Sequence, residues 1–225
     1  MRIVRKVLVT GASRGLGKVV VDAFLADGDE VIPITRNEID FTRLLNRWTI
    51  PQADVVIHCA GGGLGYRDPL LDPAQLLELF QVNVSGAAEI NRSVIPGMVS
   101  RGTGTIIHVC SIASGEAVGS VGYNTVKTAL AGYVRSLGRE MAPHGIVVTG
   151  IAPGAFQCAG NSMDRLETTS PEAYREFIEK RLPRGRMGKA VELVPIIKFL
   201  ASPGASMFAG CVVPIDAAEG RYYTL

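Results

Sequence analysis

Thr10-Gly11-Ala12-Ser13-Arg14-Gly15-Leu16-Gly17 is the stretch that decides the fold. It follows the apolar run Lys6 to Thr10 without a break and opens a helical stretch, Gly15 to Asp27. Glycines at 11, 15 and 17 let the backbone turn tightly, approach a pyrophosphate closely and pack helix against strand. The helix N-terminus adds free N–H groups and the positive end of its dipole. The turn is a phosphate cradle, provided that strand and helix alternate around it.

They do. The runs Lys6 to Thr10, Glu30 to Thr35, Asp54 to Ala60, Thr105 to Ser111, Ile146 to Ala152 and Cys211 to Ile215 are almost continuously apolar, the mark of strands covered on both faces. Between them lie helical candidates at Gly15 to Asp27, Pro73 to Ser100, Tyr123 to Met141 and Val191 to Leu200. The alternation predicts an α/β fold: one doubly wound parallel sheet of Rossmann type, helices on both faces, right-handed crossovers. The crossover at 37–52 is short for a connection and a helix together, and the polar stretch Ala155 to Lys189 reads as a helical excursion over the substrate side. No linker interrupts residues 1–225, so a single domain is expected.

Composition narrows the function. The 225 residues are 47% apolar and 20% charged, enough for a sizeable core and outside the disordered or fibrous regimes. Twenty-three Lys+Arg against 21 Asp+Glu give +2 with no charged block, which argues against a nucleic-acid partner. Apolar stretches such as Val55 to Ala60, with His58 inside it, fall far short of the roughly 20 residues of a membrane helix. The N-terminus runs into the glycine turn rather than a cleavage site, so a cytoplasmic location is expected. Cys59, Cys110, Cys158 and Cys211 are far apart and are expected to be reduced core residues. His58, His108 and His144 lack metal-ligand spacing and are expected to be structural, with no metal, and Trp48 to pack in the short crossover.

The spacing Gly-x-x-x-Gly-x-Gly resembles the short-chain dehydrogenase/reductase family. The resemblance implies a dinucleotide held at Gly11, Ser13, Arg14, Gly15, Leu16 and Gly17. In such proteins the residue ending the second strand reads the adenosine ribose, an acidic one favouring NAD and a basic one NADP. Here that residue is Arg36, with no acid before Glu38, and Arg14 stands inside the turn. Two guanidiniums aimed at one corner suit a bidentate hold on a 2′-phosphate, so NADPH is the expected cofactor; the alternative is a pair of solvated surface arginines. Asp40-Phe41 falls where the family places an acid and an apolar neighbour beside the adenine. Ala60-Gly61-Gly62 resembles its Asn-Ala-Gly with Cys59 in the Asn place. Pro153-Gly154, followed by Ala155 and Phe156, resembles its turn against the nicotinamide, where a usual Thr is absent and Cys158 lies near. Towards the end, the family's Asp-Gly-Gly is replaced by Asp216-Ala217-Ala218-Glu219-Gly220.

Tyr123-Asn124-Thr125-Val126-Lys127 is the only Tyr-x-x-x-Lys in the chain. The i, i+4 spacing puts phenol and ammonium on one helix face, close enough for the cation to stabilise a tyrosinate. The family uses this pair as its acid/base centre and also to hold the cofactor. Ser111, twelve residues earlier at a strand end, is placed to hydrogen-bond a substrate carbonyl; Ser114 is the competing serine. Asn83, in Gln81-Val82-Asn83-Val84, matches the family's helix asparagine, which would hold a water linking Lys127 to solvent; a plain solvent-facing Asn is the alternative.

The expectation is an NADPH-dependent carbonyl reductase with Asn83, Ser111, Tyr123 and Lys127 at its centre. The reverse alcohol oxidation uses the same residues, and a non-catalytic dinucleotide-sensing regulator is the reading from another class. The substrate class is not encoded: fatty acyl, polyketide, sugar and steroid ketones all fit. Val84, Ala87, Ala88 and Ile90 with Leu130, Ala131, Val134 and Leu137 suggest more apolar helix surface than one sheet can cover. Together with the resemblance they imply a homodimer or homotetramer.

Overall fold

The computed structural model describes residues 4–43 and 48–221. In chain order these form β1 (Lys6–Thr10), α1 (Gly15–Ala26), β2 (Glu30–Ile34), β3 (Val55–His58), α2 (Pro73–Phe80), α3 (Gly86–Arg101), β4 (Gly104–Val109) and α4 (Val121–Met141). There follow β5 (Ile146–Pro153), β6 (Phe156–Gln157), α5 (Ser162–Thr169), α6 (Pro171–Arg181), β7 (Gly188–Lys189), α7 (Val194–Leu200) and β8 (Val212–Ile215). Six strands make one parallel sheet in the order β2-β1-β3-β4-β5-β8. Because every strand runs the same way, their C-terminal ends share one edge, and the winding reverses at β1, where such folds open a ligand crevice.

The period of two along each strand divides the core. Val7, Val9, Val55 and Ile57 face one side, with Val20 and Phe24 of α1 and Ile197 and Leu200 of α7. Leu8, Val56 and Ile106 face the other, with Ile90, Val94 and Met98 of α3. Both faces are therefore covered, as the unbroken apolar runs require. Strand β2 is an edge strand, and Pro33 within it removes a donor that would otherwise invite pairing with another sheet.

The crossover is short as expected, and residues 35–43 and 48–54 contain no helix. Ile39, Phe41 and Ile50 instead plug the second core cluster directly, with Trp48 packed against it. Phe41 packs at a tilt against Trp48, 5.6 Å between ring centroids, and lies on Gly86, where any side chain would collide with its ring. Individual apolar side chains thus do the covering that a crossover helix would do.

The long helix predicted over Pro73 to Ser100 is present, but Gln81–Ser85 forms a π turn within it, with the Gly86 N–H bonded to the Gln81 carbonyl. The apolar positions offered as surplus are largely used inside the chain. Val84, Ala87, Ile90, Leu130, Ala131 and Val134 are buried: Ile90 packs in the second core cluster, and Val84 with Cys110, Leu130 and Val134 forms a third where the π turn meets α4. They give no argument for association. The cysteines are free, but only Cys110 is fully buried; Cys59 and Cys158 are half-buried and Cys211, just ahead of β8, is exposed. The core expectation fails for Cys211 because the residue lies before the strand begins.

His58 and His108 lie opposite each other in register on β3 and β4, their rings stacked at 4.5 Å. Asn91 of α3 bonds both, to His58 Nε2 at 2.8 Å and His108 Nε2 at 3.3 Å, and donates to the Tyr133 hydroxyl at 3.1 Å. Burial pushes His58 down from 6.5 to about 4, and burial, with His58 stacked beside it and the Lys127 ammonium nearby, holds His108 well below its ordinary value. Both are therefore neutral in the fold and charge on unfolding. Their contribution is whole above about pH 6.5 and is lost as the pH falls towards 4, where the unfolded chain binds more protons. The loss from His58 should be on the order of 3 kcal/mol. Denaturant unfolding of the wild type and His58→Gln between neutral and acid pH should show the steeper fall in the wild type; parallel curves would refute a neutral buried His58.

Candidate active site

The glycine turn sits at the C-terminal end of β1. Gly11 has φ +66°, and a Cβ there would lie 2.8 Å from the Ala60 nitrogen. A Cβ at Gly17 would fall inside the Gly11 carbonyl, so both positions admit only glycine. Arg14 caps α1 in extended conformation with no side-chain hydrogen bond, and the first turn carries no acid. A first turn without an acidic side chain suits a pyrophosphate, although the Cys158 thiol meets the Leu16 N–H there. Leu16 is buried and Ser13 exposed.

The two arginines do not converge on one group. Arg36 turns onto Asp40, 3.6 Å from Nε to the carboxylate, and its side chain is 75% exposed. Hydrogen bonds from Thr42, helped by Arg36, hold the Asp40 carboxyl below its usual range. Arg14 lies over the other wall, its Nη1 3.1 Å from where a Gly160 Cβ would be. Phe41 is 7% exposed, so most of its ring faces the core rather than a ligand.

On the next strand, the Ala60 N–H donates to Thr10 Oγ1 at 3.2 Å, joining this loop to the glycine turn. Asn83 clamps the same loop: its Oδ1 accepts the Gly62 N–H, and its Nδ2 donates to the Gly62 and Leu79 carbonyls, each at 2.9 Å. The Asn83 side chain is thereby engaged with backbone, and the alternative of a solvent-facing residue fails, since it is 2% exposed. The π turn around it is what aims it at Gly62, by shifting the helix register by one residue.

Lys127 is 4% exposed and donates from Nζ to the Val109 carbonyl at 2.9 Å. Its ammonium is also 3.4 Å from where a Gly61 Cβ would be and 5.7 Å from the Tyr123 ring centre. Tyr123, half-buried, sits between Gly119 and Gly63. Ser111 lies two residues past the end of β4, where its Oγ accepts the Ala113 N–H at 3.1 Å. Ser114 is turned away, donating to the Lys127 carbonyl at 2.9 Å. Asn124 staples the Ser111 loop to α4 by donating to the Ala113 carbonyl at 3.1 Å. Tyr123, Lys127, Asn83 and the Gly61-Gly62 loop are brought together, with the Ser111 loop fastened alongside.

Pro153 ends β5 and Gly154 follows, its N–H on the Ile215 carbonyl at 3.1 Å. Phe156 begins the two-stranded β6–β7 pair and packs on the first core cluster. Cys158 Sγ is 3.3 Å from where a Gly15 Cβ would be, at the mouth of the glycine turn. Burial pushes this thiol up.

A family model described as Enoyl-(Acyl carrier protein) reductase matches residues 37–217. The 3-oxoacyl-(acyl-carrier-protein) reductase of Pseudomonas aeruginosa is 30% identical, the match covering 93% of this chain and 94% of that protein. This chain belongs to the short-chain dehydrogenase/reductase family. It is an NAD(P)-dependent oxidoreductase. Another relative in the family, a 2-dehydro-3-deoxy-L-rhamnonate dehydrogenase (NAD(+)) of a Sphingomonas strain, is 26% identical over 96% of this chain and 95% of its own length. The fold matches that of L-sorbose reductase from Gluconobacter frateurii, solved with NADPH and L-sorbose, at a TM-score of 0.82 over 98% of each chain with 20% identity.

One residue of this short-chain dehydrogenase/reductase escaped the sequence reading as a site residue. Glu219 is buried, its side chain 3% exposed, and accepts the Ala155 N–H. A Cβ on Gly154 would lie 2.6 Å from its Oε2 and 2.9 Å from the Asp216 Cα, so Glu219 and Asp216 together keep that position glycine. Burial raises its carboxyl above the usual range, against the pull of the Ala155 N–H and Arg181. The available signal was the altered Asp-Gly-Gly, where Ala217 and Ala218 hold φ of +53° and +66°, at a cost of about 1 kcal/mol each.

Proposed function

We propose that this oxidoreductase reduces a ketone to an alcohol with NADPH, using Ser111, Tyr123, Lys127 and Asn83. The observation that carries the proposal is the buried ammonium of Lys127, held one helical turn from Tyr123 and beside the Gly61-Gly62 loop. In this reading the Ser111 hydroxyl hydrogen-bonds the carbonyl oxygen, and Tyr123 gives that oxygen its phenolic proton. Lys127 stabilises the phenolate left behind. Asn83 keeps the loop beside Lys127 in place, and a water at that loop refills the proton. The cofactor would be held by the glycine turn, Gly61-Gly62, Lys127 and the Pro153-Gly154 turn. When bound, its nicotinamide supplies the hydride. Run backwards, the same groups oxidise an alcohol, and the NAD(+)-linked relative gives that direction its support.

Several further parts belong to the same proposal. The chain acts as one domain in the cytoplasm, residues 155–189 wall the substrate side, and copies associate as a homodimer or homotetramer, which light scattering of the purified protein would show. Support for association comes from exposed apolar side chains near the α2 and α4 N-termini: Leu70, Leu77 and Val121 are 89%, 59% and 51% exposed. No described helix is long and apolar enough to cross a membrane.

NADPH preference rests on Arg36, whose exposed guanidinium follows β2 and is held only by a surface pair with Asp40. It is therefore available to a 2′-phosphate. A charge-assisted contact of about 1.5–3 kcal/mol should make NADPH bind at least about tenfold more tightly than NADH. Arg36→Ala should erase most of that difference. Equal affinities in the wild type would overturn the cofactor assignment. For the reaction itself, a panel of ketones incubated with NADPH should show loss of cofactor absorbance with at least one of them. Tight NADPH binding with no reduction of any ketone, and altered affinity for a protein partner, would favour the regulator instead.

A further inference from the structure

The excursion helices α5 and α6 contain no buried residue. Apolar anchoring is limited to half-buried side chains such as Phe177 and Ile178 and to the buried Leu182 that follows α6, so polar links share in fixing them over the site. The Tyr174 hydroxyl of α6 donates to Gln157 Oε1 at 3.0 Å. At the far end of the helix, Arg181 Nη2 lies 3.4 Å from Glu219 Oε1, its guanidinium over the Phe177 ring at 5.9 Å. Glu219 differs from a surface partner in two ways. Its side chain is 3% exposed against 29% for Arg181, and its second oxygen takes the Ala155 N–H, in the turn that follows β5. The segment that presents it is itself braced, with Asp216 accepting the Ala218 and Gly220 N–H groups at 3.1 Å each and the Arg221 N–H on Glu116 at 3.0 Å. The cavity lined by Gly154, Phe156, Leu182, Pro183, Ile215 and Asp216 begins where this link ends.

We propose that Glu219 is a positioning residue that fastens the C-terminal end of α6 to the Pro153-Gly154-Ala155 turn, and through it sets substrate affinity. The proposal rests on the reading of residues 155–189 as the substrate wall. A carboxylate shared between a backbone N–H and a guanidinium ties the C-terminal end of α6 directly to that turn, as the Tyr174 to Gln157 bond ties the middle of the helix to β6. Losing its charge leaves the turn bonded and frees the helix.

Glu219→Gln keeps the shape and the acceptor for Ala155 but removes the ion pair, and Arg181→Met removes the other partner from a half-exposed position. Amide hydrogen exchange of the full chain should speed up about tenfold in α6 for either variant, with the sheet amides unchanged. The double variant should exchange no faster than the singles, because both cut one link. With ethyl acetoacetate as the carbonyl probe, KM should rise about tenfold while kcat and the NADPH Kd stay within about twofold. Unchanged exchange of α6 in both single variants, multiplying effects in the double variant, or a shifted NADPH Kd at constant KM would each overturn the proposal. If the wild type does not reduce ethyl acetoacetate, that counts against the probe or the proposed reaction, and the exchange result alone then decides the link.

Discussion

Tyr123→Phe should lower ketone turnover by roughly 10² to 10⁴ while the NADPH Kd changes by less than about twofold. The substitution removes one hydroxyl from a half-buried ring seated between Gly119 and Gly63, so the ring can stay where it is. Neighbouring serines give the contrast. Ser111→Ala should also reduce turnover, whereas Ser114→Ala should cost little, since its hydroxyl is bonded to the Lys127 carbonyl. A Tyr123→Phe variant that works at the wild-type rate would remove the acid from the proposed mechanism even though the family assignment stands.

The second large effect is expected from Lys127→Ala. Turnover should fall by roughly 10³ or more, and NADPH affinity should fall about tenfold, because in the proposed mechanism one ammonium serves both the phenol and the cofactor side. The structure supports that double use. The side chain is buried, reaches the Val109 carbonyl, and lies against Gly61 on the loop that Asn83 clamps. Fluorescence titration with NADPH separates the two effects, since Tyr123→Phe should leave the titration intact and Lys127→Ala should weaken it. An unaltered NADPH titration in Lys127→Ala would show that the ammonium acts on the phenol alone.

Much of the candidate site could be read in the chain because its parts are local. Gly11, Gly15 and Gly17 lie within seven residues, and Tyr123 and Lys127 within one helical turn, so spacing alone sets their geometry. The strands were legible for a related reason. A strand buried on both faces needs an unbroken apolar run, and six such runs appear at the places where β1 to β5 and β8 form. Illegible features depend on partners far along the chain. Glu219 meets Ala155 across 64 residues and Arg181 across 38, and apart from the altered Asp216-Ala217-Ala218 stretch no local pattern announces the contact. Arg36 ends the second strand and Arg14 stands inside the glycine turn, which places both at one corner in sequence, yet in the fold Arg36 pairs with Asp40 and Arg14 lies at Gly160.

By itself the sequence determined the class of fold, the position of the glycine turn and the pairing of Tyr123 with Lys127, all of which follow from short-range stereochemistry and periodicity. Only the tertiary structure decided that the 37–52 crossover does without a helix in its described residues. There the core accepts Ile39, Phe41 and Ile50 one side chain at a time. It also decided that Asn83 faces Gly62 rather than water, because a π turn rotates the helix by one residue at that point. And it decided that a glutamate near the C-terminus is enclosed at the site, since a buried carboxylate is tolerable only where an N–H and a guanidinium from elsewhere meet it.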